Sequence, residues 1–182
     1  MQPWPYKEEP EISKVGWRTI VRKVFTQPDG RDAEYYTFNG PKSRAGAVIA
    51  LTPDNKVVVA EQFRPGPEMI LQELPGGGID SGEDPQVGVM RELREETGYI
   101  SDEVEFLGNV FKDSYTNTTW YFYLARNCHK PHEQSLDDGE FVTIKEIEIA
   151  DLFENARNGR MTDVSAVFLA YETLKSIQDM KQ

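Results

Sequence analysis

Residues 77–99 read GGIDSGEDPQVGVMRELREETGY, a glycine-rich stretch running into a helical pattern, and the placement of their charges decides how the rest of the chain is read. A helix advances about 100° per residue. On that wheel Glu92, Glu95 and Glu96 share one side, and Val87, Met90, Leu93 and Thr97 fall nearly opposite. The apolar side is expected to pack on a core and the acidic side to face a cavity or solvent. Glu92 and Glu96 are like charges one turn apart, an arrangement that costs roughly 0.2–0.5 kcal/mol in an isolated helix. A divalent cation would reverse that penalty. The bland alternative is a solvated acidic helix face.

Spacing separates the two. Gly77, then Glu83, then Arg91-Glu92-Leu93-x-Glu95-Glu96-x-Gly98 resembles the signature of the Nudix hydrolases. Tyr99 departs from it, standing where that family usually has a bulky aliphatic residue. The resemblance implies an α/β Nudix fold, a mixed sheet between helices. It also implies metal ligation by Glu92, Glu95, Glu96 and the carbonyl of the residue before the signature glycine, here Gly76. Magnesium takes octahedral oxygen ligands and usually keeps waters, so a few carboxylates plus substrate phosphates suffice. Two or three Mg²⁺ ions, with Mn²⁺ as a substitute, would neutralise a pyrophosphate and stabilise the oxygens of an in-line displacement. Glu95 is expected either to join the ligands or to polarise a water. Arg91 is grouped with the catalytic residues because it can hold the glutamates in one set of rotamers, with Glu83 behind it. For the glycines alone, a plain strand-to-helix turn is the competing explanation.

Composition argues against a nucleic-acid partner. The 182 residues include 20 basic and 31 acidic side chains, a net charge of −11. Nucleic-acid binding would need a basic stripe. An acidic pocket would repel a pyrophosphate unless a metal intervened. Cys128 is the only cysteine, so no internal disulfide is possible and a cytoplasmic setting is expected. The N-terminus lacks the apolar stretch of a signal peptide, and the run Ala45–Leu51 is too short to span a membrane.

The pattern divides the chain into residues 1–40, an arm with a β-hairpin, and residues 44–182, the main domain. Residues 1–16 read as an extended arm. Residues 17–25 and 32–38 flank the turn Gln27-Pro28-Asp29-Gly30 and predict a hairpin. A second hairpin is expected from 45–51 and 56–63. Ile70–Leu74 reads as a short strand and Pro75-Gly76-Gly77-Gly78 as a loop. Pro85 opens and Gly98 stops a helix near 85–97. Strands are expected near 104–112, 118–125 and 140–147, and helices over 151–158 and 163–178.

Outside the signature, nearly the whole chain resembles the ADP-ribose and nucleoside-diphosphate-sugar pyrophosphatases of that family. Gly16-Trp17, Pro28-Asp29-Gly30 and Tyr35-Tyr36 resemble the arm that subgroup exchanges across a homodimer. Gln62-Phe63-Arg64-Pro65 and Glu73-Leu74-Pro75 resemble its substrate-lining segments. Asp138-Gly139-Glu140-Phe141-Val142 resembles the loop bearing its catalytic glutamate. These likenesses imply that Trp17 and Tyr35 stack on adenine and that Arg64, with Glu73, contacts substrate. Glu140 is the implied general base, with Asp138 and Asp137 as alternatives. The competing explanations are strand packing for the aromatics and a surface ion pair for Arg64. One stretch departs from the subgroup: Asp113-Ser114-Tyr115-Thr116-Asn117-Thr118 stands where a proline, often Pro-Gly, is common. The expected reaction is Mg²⁺-dependent hydrolysis of ADP-ribose to AMP and ribose 5-phosphate. GDP-mannose or UDP-glucose are the alternative substrates, and a non-catalytic ADP-ribose sensor is the rival function.

Overall fold

The computed structural model describes residues 1–136, 139 and 141–180. It falls into two compact units, residues 1–43 with 111–119, and residues 44–110 with 120–182.

The first unit is built on three antiparallel strands, β1 (Glu11–Val15), β2 (Arg18–Thr26) and β3 (Asp32–Phe38). The arm read from the sequence as merely extended therefore contains a strand of its own, paired from Glu11↔Arg22 to Val15↔Arg18. The β2–β3 hairpin turns where expected. Gln27 N–H donates to the Arg31 carbonyl at 2.8 Å, and Gly30 takes φ 85°, a value that favours glycine. The stretch 111–119 docks on the end of β3: Phe38 N–H donates to the Tyr115 carbonyl and Asn117 N–H to the Phe38 carbonyl. Asp113 caps that stretch by accepting from the N–H groups of Tyr115 and Thr116.

The second unit is a seven-stranded sheet with helices on both faces. Its elements in chain order are β4 (Arg44–Leu51), β5 (Val57–Arg64), β6 (Met69–Glu73), β7 (Gly76–Gly78), α1 (Pro85–Thr97), β8 (Glu103–Val110), β9 (Thr119–Arg126), β10 (Thr143–Ile147), α2 (Ile149–Arg157), α3 (Val164–Leu169) and α4 (Tyr171–Met180). The main strand order is β10-β5-β4-β9-β8, with β6 on β5 and β7 on β4. Alternation along the strands sends side chains to two cores. Ala47, Ile49 and Leu51 of β4 pack with Phe122 and Leu124 of β9 and with Leu152, Val167 and Leu174 of the C-terminal helices. Val48 and Ala50 pack with Tyr123 and Ala125 of β9 and with Val89 and Leu93 of α1. A strand buried on both faces reads as the near-continuous apolar run seen at Ala45–Leu51. Each fully buried Val, Leu or Ile contributes roughly 1.5–3 kcal/mol.

Three sequence readings change. The Pro75–Gly78 loop is largely strand, because Gly76–Gly78 pairs with Ala45–Ala47. The pairing is close: a Cβ on Gly76 would lie 2.2 Å from the Gly46 carbonyl oxygen. The helix expected over 163–178 is two helices, with a turn at Ala170 (φ −92°, ψ 1°) between them. The buried stripe of α1 is Gly88, Val89, Leu93, Glu96 and Thr97, whereas Val87 is exposed. A Cβ on Gly46 would lie 2.4 Å from Val89 Cγ2. Val89 is thus seated directly on the sheet, which turns Val87 outward and Glu96 inward.

Candidate active site

Helix α1 starts and stops on local signals. Asp84 caps it by accepting from the N–H groups of Gln86 (2.9 Å) and Val87 (3.4 Å), and Pro85 occupies the first turn. Gly98 ends it in the left-handed region (φ 76°), its N–H reaching the Arg94 carbonyl at 2.8 Å. A Cβ there would lie 2.1 Å from the His132 carbonyl oxygen, so the stop needs glycine for space as well as for conformation.

Inside those limits α1 lies against β7. Glu96 is buried, and its Oε2 accepts the Gly76 N–H at 2.9 Å. The Glu92 carboxylate carbon lies 2.7 Å from where a Cβ on Gly77 would be, so a side chain there would push the carboxylate out of its present place. Arg91 organises the remaining acids. Its Nη1 donates to Glu92 Oε1 and to Glu95 Oε2, both at 2.9 Å, and its Nε approaches Glu83 Oε1 at 3.4 Å. Partial burial lowers the Arg91 pKa, but hydrogen bonds to Glu83, Glu95 and Glu92 outweigh it and leave the group above its ordinary value. The Asp80 N–H, together with Arg91, holds the Glu83 carboxyl below the usual glutamate range. Gly88 makes room for Glu83, since a Cβ on it would lie 2.8 Å from Glu83 Oε2.

These donors suit a hard cation. Glu92 and Glu96 bring carboxylate oxygens to one short length of glycine backbone at Gly76–Gly77. Among the described residues no three His, Cys, Asp or Glu side chains are gathered so as to hold an ion alone. Magnesium does not require such a cage, because it keeps waters and shares substrate phosphate oxygens.

Arg64, at the end of β5, forms a bidentate ion pair with Glu73 of β6. The hydrogen bonds to Glu73 raise the Arg64 pKa, against a smaller opposing effect of burial. Glu73 is buried and the Arg64 side chain is 41% exposed, so the acid fixes the guanidinium from behind. Behind the β6–β7 turn, buried Asp163 accepts the Leu74 N–H at 2.9 Å. Its sequence context suggested only a helix start, and no local signal marks a bond to a residue so distant in the chain.

Trp17 and Tyr35 belong to the first unit. Trp17 is 79% exposed in the β1–β2 turn, with the Arg18 guanidinium 3.9 Å over its ring. Tyr35 is partly buried in β3, edge-on to Phe25 at 6.0 Å. Tyr35 pairs with Lys23, several residues along β2 from the turn, so one chain does not sandwich a base between these two rings. Glu140, Asp138 and Asp137 lie outside the described residues.

The family comparison agrees with this geometry: a NUDIX domain model matches residues 41–168. The chain belongs to the Nudix family. A methanol dehydrogenase activator from Bacillus methanolicus is 34% identical over 125 residues, which are 68% of each chain. An ADP-ribose pyrophosphatase from Bacillus subtilis is 28% identical over 134 residues, 72% of each. A solved ADP compounds hydrolase superposes with a TM-score of 0.74 at 22% identity, covering 93% of this chain and 96% of that one, which shows a shared fold. Nudix hydrolases use a divalent cation, and no helix among the described residues is long and apolar enough to cross a membrane.

Proposed function

We propose that this Nudix hydrolase splits ADP-ribose into AMP and ribose 5-phosphate with Mg²⁺. The observation that carries the reading is the packing of Glu92 and Glu96 on the Gly76–Gly77 backbone, with Arg91 binding Glu92 and Glu95. The relative named ADP-ribose pyrophosphatase supports the substrate.

Glu92, Glu95, Glu96 and the Gly76 carbonyl would hold two or three Mg²⁺ ions, with Mn²⁺ as a substitute. The ions supply neutralisation of the diphosphate and stabilisation of charge in an in-line displacement. Arg91 keeps Glu92 and Glu95 aligned before substrate arrives, which lowers the reorganisation needed at the reacting centre. A guanidinium has five N–H donors. With two directed at Glu73, Arg64 retains others for a phosphate oxygen or ribose hydroxyl. Glu140 is assigned as the base that takes the proton of the attacking water. Trp17 and Tyr35 supply aromatic faces for the base in a homodimer with exchanged arms, residues 1–40 acting as the arm and 44–182 as the catalytic domain. Stacking is sequence-tolerant and is worth about 1–3 kcal/mol per base.

Initial rates on ADP-ribose, GDP-mannose, UDP-glucose and NADH, with products identified, test this. The expected outcome is the highest kcat/KM on ADP-ribose, with AMP and ribose 5-phosphate as products. A higher value on another nucleotide sugar would reassign the substrate. Binding without cleavage of any of them would reassign the protein as a sensor.

A further inference from the structure

The stretch 73–76 is held at each of its four residues from a different part of the chain. The Glu73 carboxylate is on Arg64 of β5, the Pro75 carbonyl accepts the Val48 N–H of β4 at 3.0 Å, and the Gly76 N–H is on Glu96 of α1. The fourth hold comes from outside the sheet and α1. Asp163, at the start of α3, accepts the Leu74 N–H at 2.9 Å through Oδ2. The same oxygen accepts the Thr162 hydroxyl at 3.2 Å, and a carboxylate oxygen has lone pairs for both.

An aspartate that opens a helix ordinarily turns its side chain to the first N–H groups of that helix. Asp163 opens α3 but makes no side-chain bond that caps it. Its carboxylate is directed instead to a residue 89 positions earlier in the chain. Its neighbours lie along the same strand. The Gln72 N–H donates to the Arg160 carbonyl at 2.9 Å, and the Thr162 N–H donates to the Gln72 carbonyl at 3.2 Å. Asn155 Nδ2 adds a bond to Gln72 Oε1 at 2.7 Å. Residues 155–163 thus clasp 72–74, and the Asp163 bond is the one nearest Gly76. Asp163 is buried, and its charge, like that of Glu96, adds to the Glu73 hydrogen bonds in favouring the charged form of Arg64.

We infer that Asp163 is a positioning residue for the cation site, its carboxylate keeping Leu74, and through Pro75 the Gly76 backbone, in place against Glu92 and Glu96. This rests on the reading in which the Gly76 carbonyl and those acids hold Mg²⁺. Only Pro75 separates Leu74 from Gly76, and its ring fixes φ, so a shift at Leu74 passes on to Gly76. A misplacement of about 1 Å at a reacting centre can cost about a hundredfold in rate.

Five proteins test the inference: the intact chain, Asp163→Ala, Asp163→Asn, Met161→Ala and Glu96→Gln. Each is measured for Mn²⁺ affinity without substrate by calorimetry, for kcat on ADP-ribose and for Tm. Asp163→Ala is expected to weaken Mn²⁺ binding about ten- to a hundredfold and to lower kcat with it. Asp163→Asn keeps an oxygen for the Leu74 N–H and should restore most of both. Met161→Ala removes a buried side chain from the same segment, so it should lower Tm and leave Mn²⁺ affinity unchanged. Unchanged Mn²⁺ affinity in Asp163→Ala would overturn the inference, as would an equal loss in Met161→Ala or no recovery in Asp163→Asn. If Asp163→Ala does not fold, Asp163→Ser is read in its place against the same outcomes, its hydroxyl ending one bond short of the carboxylate oxygens. Full Mn²⁺ affinity and turnover in Glu96→Gln would instead remove the cation-site reading, and the inference with it. Loss of both in Glu96→Gln beside an unimpaired Asp163→Ala would remove the inference only.

Discussion

Around Gly76–Gly98 the charged side chains are engaged by one another and by nearby backbone, with Arg91 touching Glu83, Glu92 and Glu95 and with Glu96 on the Gly76 N–H. Along β1–β3 large apolar side chains lie open instead: Ile12, Val15, Trp17 and Tyr36 are all exposed. The first region is organised before any ligand arrives. The second displays a surface whose use depends on what binds it. On the function proposed above, reaction chemistry is assigned to the stretch of fixed spacing and base recognition to the exposed surface of the first unit.

The contrast can be broken most sharply at Glu96. Glu96→Gln keeps an oxygen for the Gly76 N–H, so the fold should survive, while kcat falls by about a thousandfold or more, a loss comparable to removing a key charge-stabilising group. Steady-state rates with a matched circular dichroism spectrum check it, and near-normal turnover would show that the acidic face is ornamental. Removing the organiser should cost less: Arg91→Ala is expected to weaken Mn²⁺ binding about ten- to a hundredfold, the usual range for residues that orient metal ligands. Calorimetric titration measures that directly. In the aromatic unit the effect should be of another kind. Trp17→Ala should raise KM for ADP-ribose about five- to a hundredfold, as expected for one lost base stack, with kcat and Tm unchanged. An unaltered KM would show that this ring serves only to pack. The smallest effect concerns Glu83. Its folded pKa is depressed, so its contribution to stability is complete above the ordinary value of 4.5 and is lost as pH falls through the lower folded value. The Tm difference between the intact chain and Glu83→Gln should therefore be constant at neutral pH and shrink in acid below about 4.5.

What was legible in the sequence follows the same division. Helix α1 and its stop at Gly98 depend on neighbours a few residues away, and they appear where the pattern places them. The hairpin turning at Gln27–Gly30 is equally local. By contrast, β7 is three glycines that carry no strand propensity, and only pairing with distant β4 makes them a strand. Periodicity alone could not choose Val89 over Val87 as the core residue, because the choice depends on Gly46 in another element. The Asp163 bond to Leu74 and the Gln134 bond to Glu96 span large sequence separations and leave no mark in local pattern.

Whether α1 and β7 form a divalent-cation site can be seen by anomalous diffraction from crystals soaked with Mn²⁺ and a non-hydrolysable ADP-ribose analogue. Anomalous peaks touching Glu92, Glu96 and the Gly76 carbonyl are expected, with the diphosphate on their far side. A bound analogue with no peak there, and with Glu92 still on Arg91 and Glu96 still on the Gly76 N–H, would contradict it.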